Sequence, residues 1–358
     1  MTRRRLEEAI LAGYTMGLGD YIADDSDHDI QSRLASASKL TLPLDRWGIY
    51  SLQYCPNGEN LAVGFGNGGI YIVKQNGDNF KVSELTHGHR KGLAVMSLKY
   101  LRDENGLFLL SAGAAGAVNV WDLNTDAKIE PLFTLEEEGN EINALDLSCD
   151  CTFFATAGKD RHIRLYDATT MKPFQTIEAP DYLTMDEISV YTGHTKRVFA
   201  LKFHPEENHL FLTAGWDDCV KLWDKRMARN AKKSIAGPHV CGAGLDVRGN
   251  TVLTGSWSAK RSLQLWDLRA GTLERNISYP HDIKAEGEFL YCAKYVTSDV
   301  VVAGGSGTNN ACAISLNADN VLGVISSAKP VLAVDTCKAG KHLAVAGSGG
   351  NLQVASFA

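Results

Sequence analysis

Three observations predict that this 358-residue chain is all-β, a seven-bladed β-propeller closed by an N-terminal strand and carrying a short N-terminal extension. Similar segments recur at a nearly constant period. Glycine is frequent, at 34 residues, while proline is scarce, at 9. Alternating apolar runs separated by polar or glycine turns fill the intervals. Three segments align without gaps: SAGAAGAVNVWD (Ser111 to Asp122), TAGKDRHIRLYD (Thr156 to Asp167) and TAGWDDCVKLWD (Thr213 to Asp224). TGSWSAKRSLQLWD (Thr254 to Asp267) matches after two extra residues. Their Trp or Tyr positions, 121, 166, 223 and 266, are 45, 57 and 43 residues apart, the period of a four-stranded blade. Weaker copies at Ala62 to Val73, Val301 to Ser315 and Ala344 to Ala355 bring the count to seven. Seven blades need roughly 315 residues, which divides the chain into an extension over 1–35 and a propeller over 36–358.

The extension opens with Arg3 to Leu11, where Leu6, Ile10 and Leu11 fall on one side of a short amphipathic helix expected over 3–12. Polar, acidic residues follow, so this part is either a mobile tail or a helix docked on one face of the ring. Ala37 to Leu44 then alternates Leu40, Leu42 and Leu44. The last repeat ends after its third strand, so this N-terminal segment is expected to supply the missing outer strand. Within the blades, runs such as Phe199-Leu201-Phe203 and Leu210-Leu212 mark strands buried on both faces. No such blade can cover both faces alone, so neighbours must stack and the ring must close.

Gly88-His89 precedes the repeat ending in Trp121-Asp122, and Gly193-His194 precedes the one ending in Trp223-Asp224. These dipeptides resemble those of the WD40 repeat family. The resemblance implies that His194, Thr213, Asp217 and Trp223 form a hydrogen-bonded structural tetrad. Such a tetrad satisfies polar atoms inside a packed sheet, and it leaves no free hydroxyl and imidazole for hydrolase chemistry. Other repeats keep parts of it: His89, Ser111 and Trp121 in one, with Ala115 at the acid position, and Thr156, Asp160 and Tyr166 in the next.

Composition narrows the function further. A net charge of -6 argues against a general nucleic-acid-binding surface. Arg3, Arg4 and Arg5 are followed by Glu7 and Glu8 rather than an apolar core, which does not fit a signal peptide, and the longest uncharged stretch, Val300 to Ala318, is broken by glycines and asparagines. An intracellular, cytoplasmic or nuclear, monomeric ring without membrane attachment is therefore expected. The eight cysteines are scattered without a CxxC pair, as small buried hydrophobes would be, and no cofactor or metal is expected. Gly64-x-Gly66-x-x-Gly69 runs into an apolar strand, Ile70 to Val73, which makes it a hairpin turn rather than a dinucleotide fingerprint. Asp25, Asp27 and Asp29 resemble the start of a calcium loop, but Ile30 and Ser36 stand where it needs Gly and an acid.

Function is therefore expected at surfaces. The WD40 resemblance implies docking on the face that carries the second-to-third strand loops, where Trp216 and Lys159 stand just before the tetrad-acid position and Trp257 sits in the equivalent, longer loop of the next blade. Arg90 and Arg197 are expected to rim that face. Large aromatics in turns are candidate anchors for a protein or peptide partner, although they can equally cover neighbouring loops. The longest interval holds an insertion near 178–188, on this face if the preceding outer strand is Pro173 to Ile177, and on the opposite one if it is Ser189 to Thr192. Trp-Asp-x-Arg occurs twice, with Asp224 and Arg226 in one copy and Asp267 and Arg269 in the other. It resembles the box of WD40 proteins that act as substrate receptors of cullin-4 ubiquitin ligases, which implies contact with an adaptor. The same charges can also pair within or between blades. The run from Lys225 to Lys233 is basic but lacks the interleaved aromatics of a base-stacking surface. The reading is a non-enzymatic interaction scaffold or adaptor, with the ligase receptor as the alternative. A propeller enzyme acting at the central channel would rest on fold analogy alone.

Overall fold

The computed structural model describes residues 34, 35, 37–76, 79–103, 106–124, 130–180, 193–227, 230–280, 288–337 and 340–357. The helix expected over 3–12 and the acidic linker lie outside the described residues. Twenty-eight strands form seven antiparallel sheets of four, and the turn of 3-10 helix at Asp45–Trp47 is the one helical element among the described residues. Six blades take four consecutive strands each, over 49–85, 95–136, 142–177, 198–236, 245–277 and 289–326. The seventh takes Val331–Thr336, His342–Gly347 and Gly350–Ser356, and its outer strand is Ser38–Leu40. Ser38 pairs with Val354 and Leu40 with Leu352, so the two ends of the chain share one sheet. The closing strand is shorter than Ala37 to Leu44. After Leu40 the chain buries Leu42, whose N–H donates to the Asp45 carboxylate at 2.8 Å, and turns through Asp45–Trp47 into the first blade.

Apolar alternation explains which strands lie deep. All six residues of Leu210–Gly215 are buried, whereas the outer strand Pro173–Ile177 is exposed at most positions. The cores lie between blades as much as within them. Val220 and Leu222 of the fourth blade pack with Leu245, Val247 and Val252 of the fifth, and Leu52 and Val63 of the first pack with Ala344 and Leu352 of the seventh. The recurrent glycine at the end of the second strand has a shared cause. Most inner strands begin with a register shift, as at Val198/Ala200 and Val331/Ala333, and the carbonyl just before it turns toward the second strand. A Cβ at Gly158, Gly215 or Gly347 would meet such a carbonyl oxygen at 2.0, 2.2 or 1.9 Å, so a side chain does not fit.

The inner strands carry a second repeated feature. At the same register position stand Gln53, Lys99, Asp146, Lys202, Asp246, Lys294 and Asp335, opposite Ala62, Leu110, Ala155, Leu212, Leu253, Val302 and Ala344 in turn. All seven line the central channel, and the six charged ones alternate in sign around it. Lys99 lies 2.9 Å from Asp146, Lys202 lies 3.6 Å from Asp246, and Lys294 pairs with Asp335. Each aspartate also ties two blades by accepting a backbone N–H from the next inner strand: Phe203 to Asp146 at 2.8 Å, Tyr295 to Asp246 at 2.9 Å, and Tyr54 to Asp335 across the closure. Burial opposes ionisation of Asp146, but Lys99 and Lys202 hold its carboxyl below the usual range. The Asp146 charge in turn raises Lys202, whereas burial pulls Lys99 down despite the same neighbour.

Asp146→Ala removes a carboxylate that two lysines and one backbone N–H share, and it is expected to destabilise the ring by about 3 kcal/mol, the range for breaking a buried ion pair on one side. Urea denaturation checks this, and a loss under about 1 kcal/mol would show that the ring charges do not act as ties.

Candidate functional site

The loops that join an outer strand to the next blade and the loops between second and third strands meet at one end of the ring. The Lys159 N–H donates to Glu141 O at 3.1 Å and the Trp216 N–H to Arg197 O at 3.0 Å, stitching the two loop sets together. Beneath this face lie the tetrads. In the fourth blade, His194 Nδ1 is 2.8 Å from Asp217 Oδ2 and Nε2 is 2.6 Å from Thr213 Oγ1. Trp223 Nε1 donates to Thr213 Oγ1 at 2.7 Å. The chain of donors is complete when Nδ1 carries the ring proton. Burial works against ionisation of Asp217, but the hydrogen bond and charge of His194 and the Thr195 N–H hold it below the usual carboxylate range.

Other blades meet the same need with different residues. In the second, His89 Nε2 and Trp121 Nε1 each lie 2.8 Å from Ser111 Oγ, and His89 Nδ1 is buried without a hydrogen-bond partner. Burial lowers that imidazole to about 4. Gly88 is required there because the Trp121 ring lies 2.1 Å from where its Cβ would stand. In the third blade Glu137 replaces the histidine. Its carboxylate accepts from Thr156 Oγ1, from Tyr166 OH at 2.9 Å, from Asn140 Nδ2 at 2.7 Å and from Arg164 NH1 at 3.1 Å. In the sixth, Tyr279 OH donates to the Ala303 and Asn310 carbonyls at 3.1 and 3.0 Å. Sequence reasoning missed Glu137. Its position before Thr156, matching that of His194 before Thr213, is the signal that could have found it.

On the face itself, Trp216 and Trp257 are both half-buried. The Trp216 ring packs 4.9 Å from Phe199, and its Nε1 donates to Cys241 Sγ at 2.9 Å. The Trp257 ring packs at a tilt against Phe289, 4.7 Å between centroids, and its Nε1 donates to Tyr291 OH at 3.0 Å. With Tyr50 they surround a cluster of Cys241, Tyr291 and Leu332 at the mouth of the central channel. Burial pushes the Cys241 thiol and the Tyr291 phenol each up to about 12. Arg90 and Lys159 are exposed, and Lys159 Nζ pairs with Glu141 at 2.9 Å. Arg197 does not rim the face as expected. It is 6% exposed, pairs with the same Glu141 at 2.9 Å and lies about 6.0 Å from the Trp216 ring. The charge that keeps it inside is Glu141, from the neighbouring loop. Glu288, also unforeseen, is buried beside Phe289. Burial pushes it up to about 7 against the Thr308 N–H and hydroxyl that hold its Oε2. The third blade's outer strand is Pro173–Ile177, so residues 178–180 leave it at this same face, and residues 181–188 of the expected insertion lie outside the described ones.

The two Trp-Asp-x-Arg boxes lie at the opposite end and differ from each other. Arg226 Nε and NH2 donate to the two oxygens of Asp224 at 2.8 and 2.6 Å, while the guanidinium side chain stays 63% exposed. Asp267 instead accepts the Ala270 N–H at 2.6 Å, and Arg269 is exposed. Five cysteines are buried, but Cys149 is exposed. Among the described residues no three His, Cys, Asp or Glu side chains are grouped as a metal site would need, and no helix is long and apolar enough to cross a membrane.

The family model described as "WD domain, G-beta repeat" matches residues 129–167, which hold the second blade's outer strand and the first three strands of the third, and 185–224, which hold the first three strands of the fourth. The chain is similar to the target of rapamycin complex subunit wat1 of Schizosaccharomyces pombe, 30% identical over 37% of this chain and 36% of that protein. It is likewise similar to the target of rapamycin complex subunit LST8 of Bos taurus, 26% identical over 49% of this chain and 48% of that protein. It therefore spans about half or less of these relatives' length. A guanine nucleotide-binding protein subunit beta of Oryza sativa is 25% identical over 66% of this chain and 73% of its own. Among solved structures, the WD40 β-propeller domain of Doa1 superposes with a TM-score of 0.71 at 17% identity, covering 91% of this chain and 98% of that one. The chain carries WD40 repeats within a seven-bladed propeller.

The lowered His89 gives the fold a pH dependence of defined sign. Its folded-state value of about 4 lies below the ordinary 6.5, so its contribution is complete above pH 6.5 and is lost as pH falls toward 4, by up to about 3 kcal/mol. His89→Gln keeps a polar partner for Ser111 but does not titrate. Urea denaturation at about pH 4.5 and about pH 7.5 is expected to show a smaller stability difference in the variant than in the wild type. Equal differences would remove His89 as the cause.

Proposed function

We propose that this WD40-repeat propeller, spanning 36–358, is a non-catalytic scaffold or adaptor that binds a protein or peptide on the face bearing Trp216 and Trp257. The observation that carries this reading is the cluster of half-buried aromatics at the channel mouth. Both indole N–H groups are used internally, so each ring is held rigid with one surface toward solvent, and rigid aromatics lose little freedom on binding. Exposed Arg90 and Lys159 flank the cluster and add polar contacts at its edge. The polar groups beneath, His194 with Thr213 and Glu137 with Thr156, are consumed by the tetrads, so neither pair opens onto the surface as a nucleophile with its base. Similar proteins named as subunits of complexes support the same reading. Trp216→Ala with Trp257→Ala is expected to cut partner recovery from native extract by roughly tenfold or more, and Trp216→Phe with Trp257→Phe to keep most of it. Full recovery by the folded double-alanine variant would refute the assignment.

A second reading, substrate receptor of a cullin-4 type ligase, is favoured by one observation. Arg226 is oriented by Asp224 at the opposite end yet remains exposed. Arg226→Glu with Arg269→Glu is expected to abolish binding to the purified ligase adaptor while leaving the melting temperature nearly unchanged. Wild type that does not bind the adaptor ends this reading.

A further inference from the structure

Large apolar side chains are exposed where the third and fourth blades adjoin, away from the tryptophan face. Phe174, on the outer strand of the third blade, is 51% exposed, and Met227, just past the third strand of the fourth, is 43% exposed. They belong to one patch. Gln175 Nε2 donates to the Met227 carbonyl at 3.0 Å, pinning the Met227 turn against the third blade. The Phe174 ring meets Phe153 edge-on at 6.2 Å, and Lys225 Nζ sits over the Phe153 ring, 3.1 Å from its centroid. An exposed outer strand is filled as well by polar residues, and adjacent exposed apolar side chains on a soluble protein mark contact surfaces.

The charges around the patch state the partner's chemistry. Lys172 precedes the strand that carries Phe174, Lys225 and Arg226 precede Met227, and exposed Lys232 follows it. Two acids lie nearby and keep their charge: Asp224 is forked by Arg226, and Asp150 is held ionised, down at about 2 despite burial, by hydrogen bonds from Ser148, Thr152 and Asn208. The run from Lys225 to Lys233 beside the apolar centre nonetheless holds five positive charges and no negative one, on a chain whose net charge is -6. We infer that Phe174, Met227 and Phe153, with Lys225 and Arg226, form a second docking surface for an acidic protein segment that carries an aliphatic or aromatic anchor. The anchor lies against Phe174 and Met227, and its flanking carboxylates meet Lys225 and the outer edge of the Arg226 guanidinium. A nucleic acid fits less well, because the cations are few, do not track a backbone, and surround an apolar centre that has no polar group to read a base edge.

Selection from a random short-peptide library on the folded full-length protein tests this, with a single-stranded oligonucleotide measured in parallel. Wild type is expected to enrich peptides that combine acidic residues with a large apolar one. Phe174→Ser with Met227→Ser is expected to weaken the enriched peptides by roughly tenfold, and Lys225→Glu by a similar factor that shrinks with added salt. All three positions reach the surface, so melting temperatures close to wild type verify that the variants fold. Trp216→Ala is expected to leave these peptides bound, which separates this surface from the tryptophan face. Enrichment without acidic-apolar character, undiminished binding by the Phe174 and Met227 variant, or tighter binding of the oligonucleotide would each overturn the inference.

Discussion

Closure of the ring is the constraint on which the rest of the molecule depends. A four-stranded blade presents two apolar faces, and each is covered only by a neighbouring blade, so seven blades in an open row would leave two faces in water. The seventh sheet removes those ends by taking its outer strand from Ser38–Leu40 and its other three from the C-terminal part of the chain. The cluster that joins Leu52 and Val63 to Ala344 and Leu352 then repeats, across the seam, the packing found between any other pair. Cooperative folding follows from this arrangement, since no blade completes its core before its neighbours are in place.

The channel charges answer a problem that closure creates. Inner strands converge on the axis, where seven equivalent positions face one another at short range. Six alternate in sign, and alternation around an odd-numbered ring must fail once. The failure falls at Gln53, between Asp335 and Lys99, where a seventh charge of either sign would meet a like neighbour. Gln53 Nε2 instead donates to Asp335 at 3.2 Å. Since the aspartates also accept backbone N–H groups from the next blade, each tie is partly a hydrogen bond and partly charge, and burial makes it costly to break on one side.

A rigid ring leaves function to its loops. The tetrad positions show how loosely chemistry is tied to geometry there: histidine with aspartate in the fourth blade, histidine alone in the second, glutamate in the third and a tyrosine phenol in the sixth all anchor the loop between blades. Apart from His89 Nδ1, which is buried without a hydrogen-bond partner, each is satisfied from within the ring, which leaves the loop surfaces to meet a partner. Trp216 and Trp257 are held by Cys241 and Tyr291 on the inter-blade loop and inner strand beside them, so their orientation is a property of the assembled ring. The exposed residues at the other sites, Phe174 and Met227 among them, owe their placement to where one blade's edge meets the next.

Local pattern was enough to read the architecture. The outer strand missing from the last repeat pointed to the N-terminal segment that closes it, and repeat period, glycine punctuation and strand alternation specified the seven repeats, because a blade of consecutive strands depends on residues within about 45 positions of one another. The residues of the fourth-blade tetrad were legible for the same reason. Across blades that logic stops. Arg197 looked like an exposed rim cation, but Glu141, brought close only where the third and fourth blades pack, holds it inside. Glu137 was overlooked because it replaces histidine with a different residue in the same spatial role. The alternating inner-strand charges were present in the sequence as Gln53, Lys99, Asp146, Lys202, Asp246, Lys294 and Asp335, yet their meaning required the axis around which they meet. The sequence by itself determined the blades and their number. Only the tertiary structure decided which charges pair and which surfaces remain open, because those depend on contacts between blades that no single repeat contains.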